Sequence, residues 1–196
     1  GDNNVYCFDD GDPVTLVDTG DWLPATEEQL AAALAERGHT FADVDRILLT
    51  HWHMDHTGLA GTIQAESGAQ VCVHEADAPL VAGDAAAWAA MRDRQDRYLD
   101  RWGMPASAQE TLRERMVDET AIGPAPTVTE FSAGDTFAVA GGEVTVRHAS
   151  GHAAGSCWFE LDGQNENVTD GQSILSGDVL LPTYTPNVGG ADVRVE

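Results

Sequence analysis

The run Val44-Asp45-Arg46-Ile47-Leu48-Leu49-Thr50 leads without a break into His51-Trp52-His53-Met54-Asp55-His56-Thr57-Gly58. A short apolar stretch of this kind reads as a buried strand, and it delivers a histidine cluster at its end. Residues two apart on a strand share a side, so His51 and His53 leave it facing the same way. Asp55 and His56 fall at the start of the next helix and aim at a second point nearby. Imidazole suits zinc, iron or manganese, and the carboxylate adds a harder oxygen. Two metal positions fit this spacing better than one. A solvated histidine run or a purification tag is the bland alternative, and the apolar strand before it and Gly58 after it argue against both.

Outward from this cluster, Asn4 to Phe8 and Val14 to Asp18 read as strands joined by the turn Asp9-Asp10-Gly11-Asp12-Pro13. Thr26, with Gln29 three residues on, has the form of a capping box ahead of a helix that stops at Gly38. Helical spacing returns from Gly58 to Glu66, and Gln70 to His74 is another strand. Residues 84–118 lack strand patterning. Trp88, Met91, Leu99, Trp102, Leu112 and Met116 form a helical face there, broken near Gly103-Met104-Pro105 into two helices. Strands then follow at Thr127 to Phe131, Thr136 to Ala140, Glu143 to His148, Ser156 to Leu161 and Ser173 to Ser176. The pattern is mixed α/β in one domain spanning residues 1–196, with two sheets face to face and helices outside.

Two further segments can complete a metal site. Ser150-Gly151-His152-Ala153-Ala154-Gly155-Ser156 puts a histidine in a Gly-flanked loop between strands, where backbone can approach an ion closely. Ser176-Gly177-Asp178 ends an apolar strand with a carboxylate suited to bridging two cations. Each is weak evidence alone; together with the first cluster they form a set.

Val17-Asp18-Thr19-Gly20, the His51 to His56 cluster with Thr57-Gly58, Gly151-His152 with Gly155-Ser156, and Ser176-Gly177-Asp178 occur in this order along nearly the whole chain. In order and approximate spacing they resemble the motifs of the metallo-β-lactamase superfamily, in its hydroxyacylglutathione-hydrolase and lactonase-like branch. The resemblance implies an αββα sandwich with a helical insertion at about 84–118 and two divalent ions at one edge of the sheets. Zinc is the first expectation, iron or manganese the alternatives. Carried across, His51, His53 and His152 hold the first ion, and Asp55 and His56 hold the second with Asp178 bridging. Asp18 then orients a ligand without binding metal. One departure stands out. The family's second position takes another histidine beyond the bridging aspartate, and no histidine follows His152. The expectation is that the C-terminal part is missing. His74 is expected at a strand end near the substrate region, and His148 in a structural role.

Composition narrows the partners. Against 33 acidic residues stand 10 basic ones, all Arg, for a net charge of −23. Such a surface repels nucleic acid and anionic membranes, so neither is an expected partner, and it suits a salt-rich cytoplasm. A small molecule is the expected substrate; the oligomeric state is not legible. Cys7, Cys72 and Cys157 are few and scattered, which reads as core residues in a reducing compartment. No stretch has the length of a membrane span or the pattern of a signal peptide. The start at Gly1 instead of Met reads as processing or excision.

The chemistry expected is metal-assisted hydrolysis of a thioester, lactone or other small ester, with Asp55 orienting the attacking water. There is no Gly-x-Ser-x-Gly elbow to supply a side-chain nucleophile. Trp88, Tyr98 and Trp102 either line an apolar channel or simply bury the insertion. The rival readings are a mono-iron persulfide dioxygenase, a nuclease, an enzyme of drug resistance, and a non-catalytic, metal-depleted binding domain.

Overall fold

A computed structural model describes residues 3–113, 122–162, 173–183, 185–188 and 192–195. Strands β1 (Tyr6–Phe8) and β2 (Thr15–Val17) pair antiparallel. β3 (Arg46–Leu48), β4 (Gln70–His74) and β5 (Val128–Phe131) then extend the sheet in parallel, in the order β1-β2-β3-β4-β5. A second sheet is antiparallel throughout: β6 (Thr136–Val139), β7 (Gly142–His148), β8 (Cys157–Leu161) and β9 (Ser173–Leu175).

Parallel strands need crossovers, and these supply the helices: α1 (Pro24–Glu36), α2 (Met54–Thr57), α3 (Ala60–Ser67), α4 (Ala78–Val81), α5 (Ala85–Arg101) and α6 (Ala106–Arg113). The strand period of two divides the core. Leu16, Ile47, Val71 and Val73 face the helices and pack with Leu34, Leu59, Ile63, Leu80 and Trp88. Their neighbours Val17, Leu48 and Cys72 face the other way, onto Val144, Val146, Cys157 and Phe159 of the second sheet. β3 is therefore buried on both sides, which explains its unbroken apolar run. The layer order is helix, sheet, sheet, as the αββα expectation requires on this side of the molecule.

Local readings hold in most places and fail where a competing signal wins. The helix α1 begins at Pro24, whose fixed φ and missing N–H suit a first turn, so Thr26 lies inside the helix and its hydroxyl turns to Asp21. The break between α5 and α6 falls where Gly103 and Pro105 demand it. Met116 and the end of the expected insertion at Asp118 lie outside the described residues. Cys72 and Cys157 are buried and Cys7 half-buried, all three as free thiols. No helix among the described residues is long and apolar enough to cross a membrane.

Candidate metal centre

The ends of both sheets meet at one edge. Asp18 follows β2, His51 and His53 follow β3, His152 lies in the β7–β8 loop, and Asp178 sits in the 3-10 turn Gly177–Val179 after β9. Residues from nearly the whole length of the chain are thus brought to one place.

His51 Nε2 lies 3.0 Å and His152 Nε2 lies 2.8 Å from His53 Nδ1. The outer nitrogens show which protons these rings carry. His152 Nδ1 donates to the Asn187 carbonyl at 2.9 Å, which leaves a lone pair on its Nε2. Thr50 Oγ1 donates to Asp18 Oδ2 at 2.9 Å and accepts from His51 Nδ1 at 3.0 Å, which leaves a lone pair on His51 Nε2 as well. Two lone pairs and His53 Nδ1 therefore converge, and a single proton on His53 cannot satisfy both. A cation at their focus can.

Beside this group is a second. The ligand atoms of His51, His56 and Asp178 all lie within 4.8 Å of one another, as do those of His51, His53 and His152. His56 Nδ1 is held by Asp18 Oδ2 at 2.8 Å, so its Nε2 faces inward. That atom is buried without a hydrogen-bond partner, 3.4 Å from Asp178 Oδ1 and 3.9 Å from Asp55 Oδ2. Asp178 also reaches His152, with Oδ2 3.3 Å from Nε2, so its two oxygens face the two groups. Asp55 is set apart: its carboxylate is half-exposed and accepts from the Asn3 side chain at 2.8 Å.

Charge follows this geometry. Burial, helped by the neighbouring rings, holds His51 well below the usual imidazole range and lowers His53 to about 4. Both rings are neutral near pH 7, the form in which imidazole binds metal. Burial is the largest single influence on His56 and opposes a charge there, but the carboxylates of Asp18, Asp178 and Asp55 together outweigh it and push this ring up to about 10. The His56 ring, 3.4 Å away, holds Asp178 below the usual carboxylate range, against its partial burial.

Gly177 makes the approach of Asp178 possible. Its φ is +47°, and a Cβ there would lie 2.8 Å from both Cβ and Oγ1 of Thr50. Gly177→Ala is expected to cost about 2–4 kcal/mol, from the left-handed backbone and the overlap together. Thermal unfolding of the chelated protein measures it; an unchanged midpoint would show that the Thr50 contact yields freely.

Residues that the sequence left with alternative or structural roles are placed as well. Trp88 is a core residue: it is buried, stacks edge-on to Trp52 at 5.4 Å and donates from its indole to the Leu80 carbonyl. Tyr98 packs on the same core, while Trp102 is exposed. His74 is buried between the sheets, stacked on His148 with ring centroids 4.1 Å apart; His148 in turn bonds the Ala154 carbonyl, in the structural role expected of it.

The sequence model of the Metallo-beta-lactamase superfamily matches residues 1–190. Among solved structures, a metallo-beta-lactamase family protein from Thermus thermophilus is 30% identical at a TM-score of 0.72, covering 95% of this chain and 57% of that one. BJP-1, a subclass B3 metallo-beta-lactamase of Bradyrhizobium japonicum, shares the fold at a TM-score of 0.62 and 24% identity, covering 96% of this chain and 62% of that one. An atrochrysone carboxyl ACP thioesterase of Aspergillus fumigatus is 40% identical over 55 residues, 28% of this chain and 16% of the relative. The chain thus spans about three-fifths of the two solved relatives. With the two sheets, the histidine-rich edge and this match agreeing, the chain belongs to the metallo-beta-lactamase superfamily.

Proposed function

We propose that the protein is a metal-dependent hydrolase of small thioesters, lactones or related esters, akin to the hydroxyacylglutathione-hydrolase and lactonase-like branch of its superfamily. The family implies divalent metal ions, and the residues fit them. The observation that carries the reading is the donor set itself. Lone pairs of His51 and His152 converge with His53 Nδ1, next to a buried, partnerless His56 Nε2. Unpaired buried nitrogens of this kind are costly unless something binds them.

His51, His53 and His152 would hold the first ion, and His56 and Asp55 the second, with Asp178 between. Zinc is the expected metal. When bound, such ions supply Lewis acidity, bringing the ionisation of water near neutral pH and polarising an ester carbonyl. The chain's own part is to place and to orient. Asp18 and the Asn187 carbonyl fix ring tautomers, and Asp55, at the exposed rim, orients the attacking water. Apolar contact with the substrate falls to Leu180 and Val188. Both are exposed, one two residues past Asp178 and the other next to Asn187, whose carbonyl holds His152. The thioester preference has support in the relative named as a thioesterase. The charge of −23 argues for a small neutral or cationic substrate over nucleic acid, and for a salt-rich cytoplasm.

The test is turnover of thioester, lactone and aryl-ester panels by zinc-loaded protein at high salt, with nitrocefin and a persulfide as contrasts. Hydrolysis should disappear on chelation and return with zinc. No turnover of any ester, or persulfide oxidation in its place, would overturn the reading.

A further inference from the structure

Two buried carboxylates join the histidine-bearing loops. Asp77 has no exposed surface. Its Oδ2 accepts from the backbone N–H of Trp52, between His51 and His53, at 3.1 Å. Its Oδ1 accepts from the backbone N–H of Gly155, three residues past His152, at 2.9 Å. Asp192, equally buried, repeats the span one step away: its Oδ2 accepts from the Trp52 indole at 3.0 Å and from the Ala154 N–H at 2.8 Å. Arg194 lies across both, donating to Asp77 Oδ1 at 2.6 Å and to Asp192 Oδ1 at 2.8 Å, and it also reaches the Ala76 carbonyl. A chain segment far from either loop thus closes the bracket.

Each carboxylate grips both loops, and the loops come from different sheets. The 51–53 segment follows β3 of the first sheet, while the 150–156 loop joins β7 to β8 of the second. The loops are also tied by a backbone bond from Cys157 N–H to the Thr50 carbonyl at 2.9 Å. Besides the direct contact of His53 with His152, the two loops are therefore joined by the Cys157–Thr50 backbone bond and by Asp77 and Asp192. Gly155 gives independent evidence of the fit. A Cβ added there would lie 2.5 Å from Asp77 Cγ, so the loop is seated directly on the carboxylate.

Resting on the metal-centre reading above, we propose that Asp77, supported by Asp192 and Arg194, is a positioning residue that sets the register of the two loops. Through that register it governs how well His53 and His152 can share one ion. A bracket of charged groups is directional, and it holds a defined spacing where apolar packing would allow sliding. Groups that orient metal ligands commonly matter almost as much as the ligands.

Cobalt(II) is the probe, because its visible spectrum reports ligand geometry directly and needs no turnover. Wild-type protein should bind two equivalents with a histidine-type absorption band. Asp77→Asn keeps the shape but puts an amide N–H against a backbone donor. It should weaken binding at the His51/His53/His152 position by roughly 10- to 100-fold and alter its band, with the His56/Asp178 position changing less. Trp52→Phe removes the indole bond to Asp192, along with part of the packing against Trp88, and leaves Asp77 in place; it is expected to shift the same band if Asp77→Asn does not fold. Unchanged affinity and spectrum in the folded variants, even with lowered thermal stability, would reduce the bracket to ordinary structural support. Failure of the wild-type protein to bind cobalt or zinc at all would overturn the metal-centre reading itself, and this proposal with it.

Discussion

His53→Ala is expected to empty the first metal position and end hydrolysis. His53 Nδ1 is the hub of that group, 3.0 Å from His51 Nε2 and 2.8 Å from His152 Nε2, whereas the other two nitrogens meet only through it. Removing it leaves two imidazoles facing an open gap, too few donors for a tetrahedral ion. The loss should exceed the roughly 10- to 100-fold that follows from losing a group that merely orients a ligand. Folding should survive, because His53 is only partly buried and its Nε2 has no hydrogen-bond partner to lose. Metal content by mass spectrometry and rates on the best ester of the panel decide it. His39→Ala is a suitable comparison, since His39 pairs with Asp9 away from the centre and should leave both quantities unchanged. Metal content and rates that stay at wild-type values in His53→Ala would refute the assignment.

The parts of this centre that could be read from sequence were those in which chemistry and local structure coincide. The β3 run and its histidines are contiguous, and Asp18, His152 and Asp178 each sit close to glycine at a strand end or in a loop, where an exposed polar group has few structural reasons to be. Asp77, Asp192 and Arg194 carried no such mark. In a chain with 33 acidic residues, an aspartate reads as solvated surface, and only the fold shows these two with no exposed area. A weak signal was present in Asp192-Val193-Arg194, opposite charges around a buried valine. For Trp88 the sequence left two readings open, and the fold takes the burying one. Helical spacing identifies an apolar face but not what covers it, and the answer, Trp52 and the Leu80 carbonyl, comes from other elements. Thr26 shows a conflict between two local rules: a proline two residues earlier set the helix start and displaced the capping box.

Asp18 offers the sharpest separation of charge from shape. Its backbone is left-handed, at φ 59°, which asparagine tolerates and which costs alanine about 1–2 kcal/mol. Its carboxylate takes the Thr50 N–H at 2.8 Å on one oxygen, and the Thr50 hydroxyl at 2.9 Å and His56 Nδ1 at 2.8 Å on the other. Asp18→Ala leaves these donors buried and unpaired, and a loss of about 3–5 kcal/mol is expected, read by denaturant unfolding. Asp18→Asn should fold better and be more informative. Its carbonyl can still accept from Thr50 N–H, but its amide then faces His56 Nδ1. To accept that N–H, His56 must give up its Nδ1 proton and keep one on Nε2, the atom that faces Asp178. Metal affinity at the second position should therefore fall by roughly 10- to 100-fold although no ligand has changed. The pH dependence gives a second reading. In chelated wild-type protein His56 titrates at about 10, above the ordinary imidazole value of 6.5. Its contribution to stability is therefore full below about pH 6.5 and is lost as pH rises through about 10. Without the Asp18 charge, burial dominates, the His56 pKa drops, and that slope between neutral and alkaline pH should flatten. Histidine titration by NMR and melting temperatures between neutral and alkaline pH test this, and identical His56 titrations in the two proteins would show that Asp18 does not set the charge of this ring.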